Sequence, residues 1–153
     1  MATLTSSAES TIDAPADIVL DVLRDFDGRH RRILPPAFSD LVIEEGGHGA
    51  GTVTRFTFTV GGRSMPTRTR VTEPEPGVIE ETVDGRDMVT RFEIRPDGAA
   101  SRARISTRWE STGGVSGMLE RLFLPRMLRD VYRDELVRLD AVAREAAGEA
   151  ARG

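Results

Sequence analysis

The sequence predicts one α+β domain: a curved antiparallel sheet of about seven strands wrapped around a long C-terminal helix, with two short helices after the first strand. Three observations carry this. Between residues 38 and 110, apolar and polar residues alternate with a period of two, interrupted by tight-turn pairs. From residue 115 the apolar residues recur every three and four positions up to residue 147. No repeat, linker or second composition interrupts the 153 residues, so 1–147 is expected to be one domain and 148–153 a frayed tail.

The elements follow in order. Residues 3 to 12 are rich in β-formers and read as a first strand. Asp13-Ala14-Pro15 is a helix start, with Asp13 expected as N-cap and Pro15 in the first turn. Ile18, Val19, Val22, Leu23 and Phe26 share a face, giving a helix over 15–25 that Gly28 is expected to end. A second short helix or turn spans Arg29 to Leu34 and stops at Pro35-Pro36.

Six strands are then expected over 38–45, 51–60, 63–73, 77–83, 88–96 and 100–110. Gly61-Gly62, Asp84-Gly85 and similar turns between them require antiparallel neighbours. Phe56, Phe58 and Val60 form an inward face, as do Met88, Thr90, Phe92 and Ile94, and Ala103, Ile105, Thr107 and Trp109. The strand over 63–73 has no clear phase: Met65, Thr67, Thr69 and Val71 oppose Pro66, Arg68, Arg70 and Thr72. Pro66 predicts an edge or a bulge there. After Thr112-Gly113-Gly114, an apolar stripe runs from Val115, Met118, Leu119, Leu122 and Phe123 through Leu128 and Tyr132 to Ala146. A helix of that length approaches about 50 Å. Pro125 should kink it near Arg121, and Gly148 should close it.

Composition narrows the chemistry. Lys, Asn, Gln and Cys are all absent, so the 21 basic residues are arginines. Disulfides, thiol nucleophiles and thiolate metal sites are thereby excluded. Polar contacts must come from hydroxyls, arginines, carboxylates, two histidines or the backbone. The net charge of −4 argues against general affinity for nucleic acid or anionic membrane. Residues 1–10 lack the basic and apolar regions of a signal peptide, and no apolar run reaches about 18 residues; a cytoplasmic protein without an integral membrane segment is expected.

Strand, helix, short helix, six-strand meander and long helix together make the helix-grip plan. Ile12-Asp13-Ala14-Pro15-Ala16-Asp17-Ile18-Val19, Arg70-Val71-Thr72-Glu73-Pro74 and the Gly-Gly entry to the last helix carry a resemblance to a known group. From about Thr3 to Ala147 the chain resembles the START-like, or SRPBCC, superfamily, and within it the polyketide cyclase/dehydrase-like proteins. The resemblance implies a ligand cavity between sheet and C-terminal helix, and relatives that include aromatase/cyclases, hormone receptors, allergens and lipid carriers. It leaves catalysis open. Relatives often carry aromatics in the first helix and the segment after it, where this chain has Leu20 and Arg29-His30-Arg31-Arg32-Ile33-Leu34.

The expected ligand-binding set is Phe56, Phe58, Met65, Met88, Phe92, Thr107, Trp109, Met118, Leu122, Phe123 and Tyr132. Flexible methionines beside aromatics and hydroxyls suit a deformable pocket, although the same residues can fill a core. Tyr132 either packs or offers its hydroxyl to a ligand. Arg70 and Tyr132 are the catalytic candidates. The resemblance to aromatase/cyclases implies an arginine of this strand on a polyketide carbonyl, whereas outward Arg68 and Arg70 would pair with Glu80 or Glu81. His30 and His48 are expected to be exposed. No metal-ligand spacing is present, and no metal or organic cofactor is expected. The arginines at 91, 95, 102, 104 and 108 are read as a solvated face.

Three functions remain: a carrier or sensor of a small lipid- or polyketide-like molecule, a polyketide aromatase/cyclase, or a module docking on a protein or quinone-bearing membrane. The carrier reading requires an open cavity of roughly a few hundred Å³. The enzyme reading requires at least two ionisable groups converging inside it. A monomer or homodimer fits either.

Overall fold

The computed structural model describes residues 2–111 and 113–153. Thr112 of the predicted turn and Met1 of the predicted N-terminal segment lie outside these. The described elements are β1 (Thr3–Ile12), α1 (Ala16–Arg24), α2 (Arg29–Ile33), β2 (Phe38–Glu45), β3 (Val53–Val60), β4 (Arg63–Thr72), β5 (Val78–Val83), β6 (Met88–Asp97), β7 (Ala100–Glu110) and α3 (Gly114–Arg152). The strands form one antiparallel seven-stranded sheet in the order β1-β7-β6-β5-β4-β3-β2. β2 to β7 are a meander, and β1 closes onto β7 from Thr3↔Glu110 to Ile12↔Ser101. This is the helix-grip architecture.

The phase of β4 resolves in one direction along its whole length. Met65, Thr67, Thr69 and Val71 are the more buried set, while Arg70 and Thr72 are exposed. Pro66 causes no bulge, because the β3–β4 ladder is continuous from Val53↔Arg70 to Val60↔Arg63. The two-residue Gly61-Gly62 turn makes Val60↔Arg63 a bonded pair, so alternation makes Thr57↔Pro66 a non-bonded pair. The missing N–H of Pro66 therefore points away from β3, and β4 meets β5 only from Thr69 onward. The register shifts fall instead in the edge strand β2, around Asp40 with its φ of 57°.

Helix ends differ from expectation as well. Pro15 is the N-cap of α1 with ψ 150°, so its fixed φ sits just outside the helix. The Asp13 N–H is held instead by the Asp140 carboxylate at 2.8 Å, tying β1 to α3. α1 ends at Asp25, and Gly28 begins α2, packed so closely that an added Cβ would lie 2.5 Å from the Asp25 carboxylate. α3 continues past Gly148 to Arg152, so residues 148–152 are helical. Its 39 residues span about 58 Å at 1.5 Å per residue. The helix is continuous through Pro125, whose carbonyl accepts the Ser6 hydroxyl at 2.6 Å.

α3 packs along β1 and against α1 and α2. Its contribution to the core begins at Leu128 and continues through Leu136, Leu139, Val142 and Ala146, which meet Val19, Val22 and Leu23 of α1. The preceding turns depart from the prediction. Val115, Met118, Leu119, Leu122 and Phe123 are 52–75% exposed. Apolar periodicity reports an amphipathic face and not the element that covers it.

Candidate functional site

Because α3 lies over β1, the inner faces of β3 to β6 are left opposite the helix across a space that side chains only partly fill. A cavity of about 90 Å³ remains. Phe26, Phe38, Phe56, Phe58 and Phe92 line it with Met65, Met88, Leu124 and Leu128. Cross-strand hydroxyl pairs supply its polar strip. Thr54 and Thr69, directly opposite in the β3–β4 ladder, hydrogen-bond at 2.7 Å, and Thr90 and Thr107 do so at 2.7 Å between β6 and β7. The Tyr132 hydroxyl bonds Thr107, so its ring is anchored at both ends. Burial pushes the phenol up to about 12, keeping it a neutral donor–acceptor.

His30, Glu81, Arg86 and Glu135 are further ionisable groups that line the same cavity. His30, expected at the surface, is 3% exposed. It stacks on Phe26 with ring centroids 4.3 Å apart and meets Phe92 edge-on. Its Nδ1 lies 2.7 Å from the Leu23 carbonyl oxygen, a contact that makes Nδ1 the protonated donor. Burial drives the imidazole down to about 4, so it is neutral near pH 7.

Glu81 shares the phase of Ile79 and Val83 on β5, and the cavity receives its side chain. Burial raises its carboxyl to about 7. Glu135 follows Tyr132 by one helical turn and is 2% exposed. Burial first, and then the proximity of Glu81, hold it well above the usual carboxylate range. Among the described residues, no hydrogen bond or ion pair reaches either carboxyl group.

Arg68 and Arg70 lie on the other face of the sheet. Arg68 bonds Glu44 at 2.6 Å and also Asp84, and Arg70 bonds Asp84 at 3.3 Å. The predicted partners were Glu80 and Glu81, yet Glu80 pairs with Arg91 at 2.9 Å and Glu81 turns inward. Arg70 lies on the sheet face away from the cavity, and the Tyr132 hydroxyl is hydrogen-bonded to Thr107. The structure thus places the two candidates on opposite faces of the sheet and does not bring them together. Arg91, Arg102 and Arg104 form ion pairs with surface carboxylates, as a solvated face requires.

Of the expected lining residues, Phe56, Phe58, Met65, Met88, Phe92, Thr107 and Tyr132 border the inner cavity. Trp109 and Phe123 border an adjoining groove of about 760 Å³, between the β3–β4 turn and the first half of α3. The Trp109 indole N–H donates to Glu120 at 2.7 Å. Met118 and Leu122 are exposed and border neither space. Met65, Arg86, Met88 and Leu124 border both, so the groove adjoins the cavity.

Sequence reasoning missed Glu81, Glu135 and His30, although signals existed. Two consecutive glutamates in a strand cannot both face water when Ile79 and Val83 fix the inner phase. Glu135 stands seven residues after Leu128 and three after Tyr132, on the apolar stripe. His30 lies four after Phe26 and three before Ile33, on the buried face of a basic run.

No curated protein matches the chain. Solved structures do. The KanY protein is 26% identical with a TM-score of 0.83, covering 94% of this chain and 99% of its own. A START superfamily protein from Mycobacterium smegmatis is 16% identical at TM-score 0.71, covering 92% and 97%. The Zhui aromatase/cyclase from Streptomyces sp. R1128 is 23% identical at TM-score 0.66, covering 95% and 94%. These likenesses agree on the fold. A family model described as polyketide cyclase/dehydrase and lipid transport matches residues 1–144, and the chain belongs to that family.

Proposed function

We propose that the protein binds a small apolar molecule bearing oxygen, lipid- or polyketide-like, between sheet and α3, as a carrier or sensor. The observation that carries this reading is an apolar cavity with ready hydrogen-bonding groups, adjoining a larger groove that shares four of its lining residues. A whole ligand needs roughly 300–1,000 Å³. The inner 90 Å³ suffices for one end of such a molecule, and the 760 Å³ groove accommodates the remainder. The exposed Leu119 and Phe123 lie along that outer path. A second reading, chemistry on the bound molecule, is favoured by the two carboxyl groups that border the inner cavity.

Trp109, the only tryptophan, borders the groove and reports on occupancy. Titration with polyketides, fatty acids and quinones is expected to give a saturable change in its emission for at least one class. Thr69→Phe, which fills the inner cavity, should weaken that binding about tenfold or more while the protein stays folded. A panel that leaves Trp109 emission and the native mass spectrum unaltered contradicts the proposal.

A further inference from the structure

Glu135 is a buried carboxyl group with no hydrogen-bond or ion-pair partner among the described residues, and it borders the same cavity as Glu81. A buried polar group without a partner costs on the order of 1–3 kcal/mol, and a core that only had to be stable would carry leucine at this place. The helix brings Leu128, Tyr132 and Glu135 to the cavity from one face, and β5 brings Glu81 from the sheet opposite. The two carboxyls thus reach one space from two independent elements, with Arg86 the one arginine among the residues lining it.

We propose that Glu81 and Glu135 are an acid–base pair that enolises an apolar carbonyl compound held in the inner cavity. The proposal rests on the binding reading above. Glu135, as the carboxylic acid, gives its proton to the carbonyl oxygen. Glu81, as the carboxylate, takes the proton from the adjacent carbon. The α C–H bond breaks, a C=C bond forms, and the carbonyl becomes an enol. One proton enters Glu81 and one leaves Glu135, so neither a cofactor nor an oxidant is needed. Reversal with a different proton exchanges the α position. An enol so formed is the nucleophile that ring closure or loss of a β-hydroxyl would require.

The environments suit the roles. Burial pushes Glu81 up to about 7, so a large share is ionised at neutral pH, whereas burial and the nearby Glu81 hold Glu135 well above the usual carboxylate range and favour its acid form. The groups facing this pair are His30 from α2, Tyr132 and Asp134 from α3, and Arg86 from the β5–β6 turn. Only Arg86 is a cation, and it sits at the junction with the groove, where it contacts the Met65 sulfur at 3.4 Å.

The test uses cyclohexanone and 2-tetralone in D2O, with proton NMR following loss of the α-proton signal and saturation transfer reporting binding in the same samples. Wild type should accelerate exchange over the buffer blank, rising with pH to a midpoint near 7. Glu81→Gln should reduce the acceleration about a hundredfold. Glu135→Gln, which keeps a weaker donor, should reduce it about tenfold, and Arg70→Ala should leave it unchanged. Binding without exchange, or exchange that survives Glu81→Gln, overturns the acid–base pair and leaves the binding site standing. Neither binding nor exchange overturns both.

Discussion

Glu80 and Glu81 are consecutive on β5 and face opposite sides of the sheet. Glu80 lies on the convex side, where Arg91 reaches it at 2.9 Å and Glu75 and Glu93 share the same guanidinium. Glu81 lies on the concave side, opposite α3, where Arg86 borders the cavity but no described arginine pairs with it. The same division holds across the sheet. On the outer face, Arg55, Arg68 and Arg70 share Glu44 and Asp84, and their hydrogen bonds hold both carboxylates below their ordinary range. On the inner face, burial raises Glu81 and Glu135 above it. The same residue type thus carries a cheap, screened charge on one face and a proton held against solvent on the other. Outer charges are paired and solvated, and the inner carboxyls are enclosed in the cavity.

The largest expected effect is in the pH dependence of stability. The folded-state value of Glu81 is about 7 against an ordinary 4.5. As pH rises between these values, the unfolded chain releases a proton that the folded chain retains, so stability falls. His30 acts oppositely: it is lowered from 6.5 to about 4, and stability falls as pH drops through that window. Glu81→Gln should remove a loss on the order of 2–3 kcal/mol between pH 4.5 and 7, allowing for the partial opening of Glu81 to the cavity. Urea titrations across that range should show a flattened decline from pH 4.5 toward 7; an unchanged profile would break the contrast between the two faces.

Next in size is Glu135→Leu, which removes a buried unpartnered carboxyl at similar volume. It should stabilise the protein at pH 7 by about 2 kcal/mol, read as a raised Tm, and abolish any proton exchange. Destabilisation would mean that the carboxyl has a structural partner. Tyr132→Phe should cost about 1 kcal/mol, since Thr107 loses its bond but keeps Thr90. Smallest is the outer face. Arg70→Ala should cost about 0.5 kcal/mol and fade in added salt. A larger, salt-insensitive cost would erase the distinction between the faces.

Much of the fold was legible because each strand states its inner phase through several residues at once. Phe56 with Phe58, Phe92 with Ile94, and Ile105 with Trp109 leave only one way to lie on the core. β4 was not legible, since threonines alternate with arginines and neither phase is plainly apolar. The register with β3 and β5 decides it. The apolar half of the cavity follows from the same alternation. The ionisable half does not, because a glutamate is read as a surface residue unless its strand or helix phase is followed through it. The first turns of α3 fail in the reverse sense: Met118 and Leu122 have core periodicity and no core above them.

The central claim is that the inner carboxyls hold protons that the outer ones have lost. Glutamate labelled with 13C at the side-chain carboxyl tests it in one NMR titration, with Glu81→Gln and Glu135→Gln assigning the signals. The account predicts one resonance, Glu81, titrating near 7, a second, Glu135, well above the ordinary 4.5, and Glu44, Glu73 and Glu145 titrating below 4.5. If the Glu81 and Glu135 signals move together with the surface glutamates, the concave face holds ordinary carboxylates and the account is wrong.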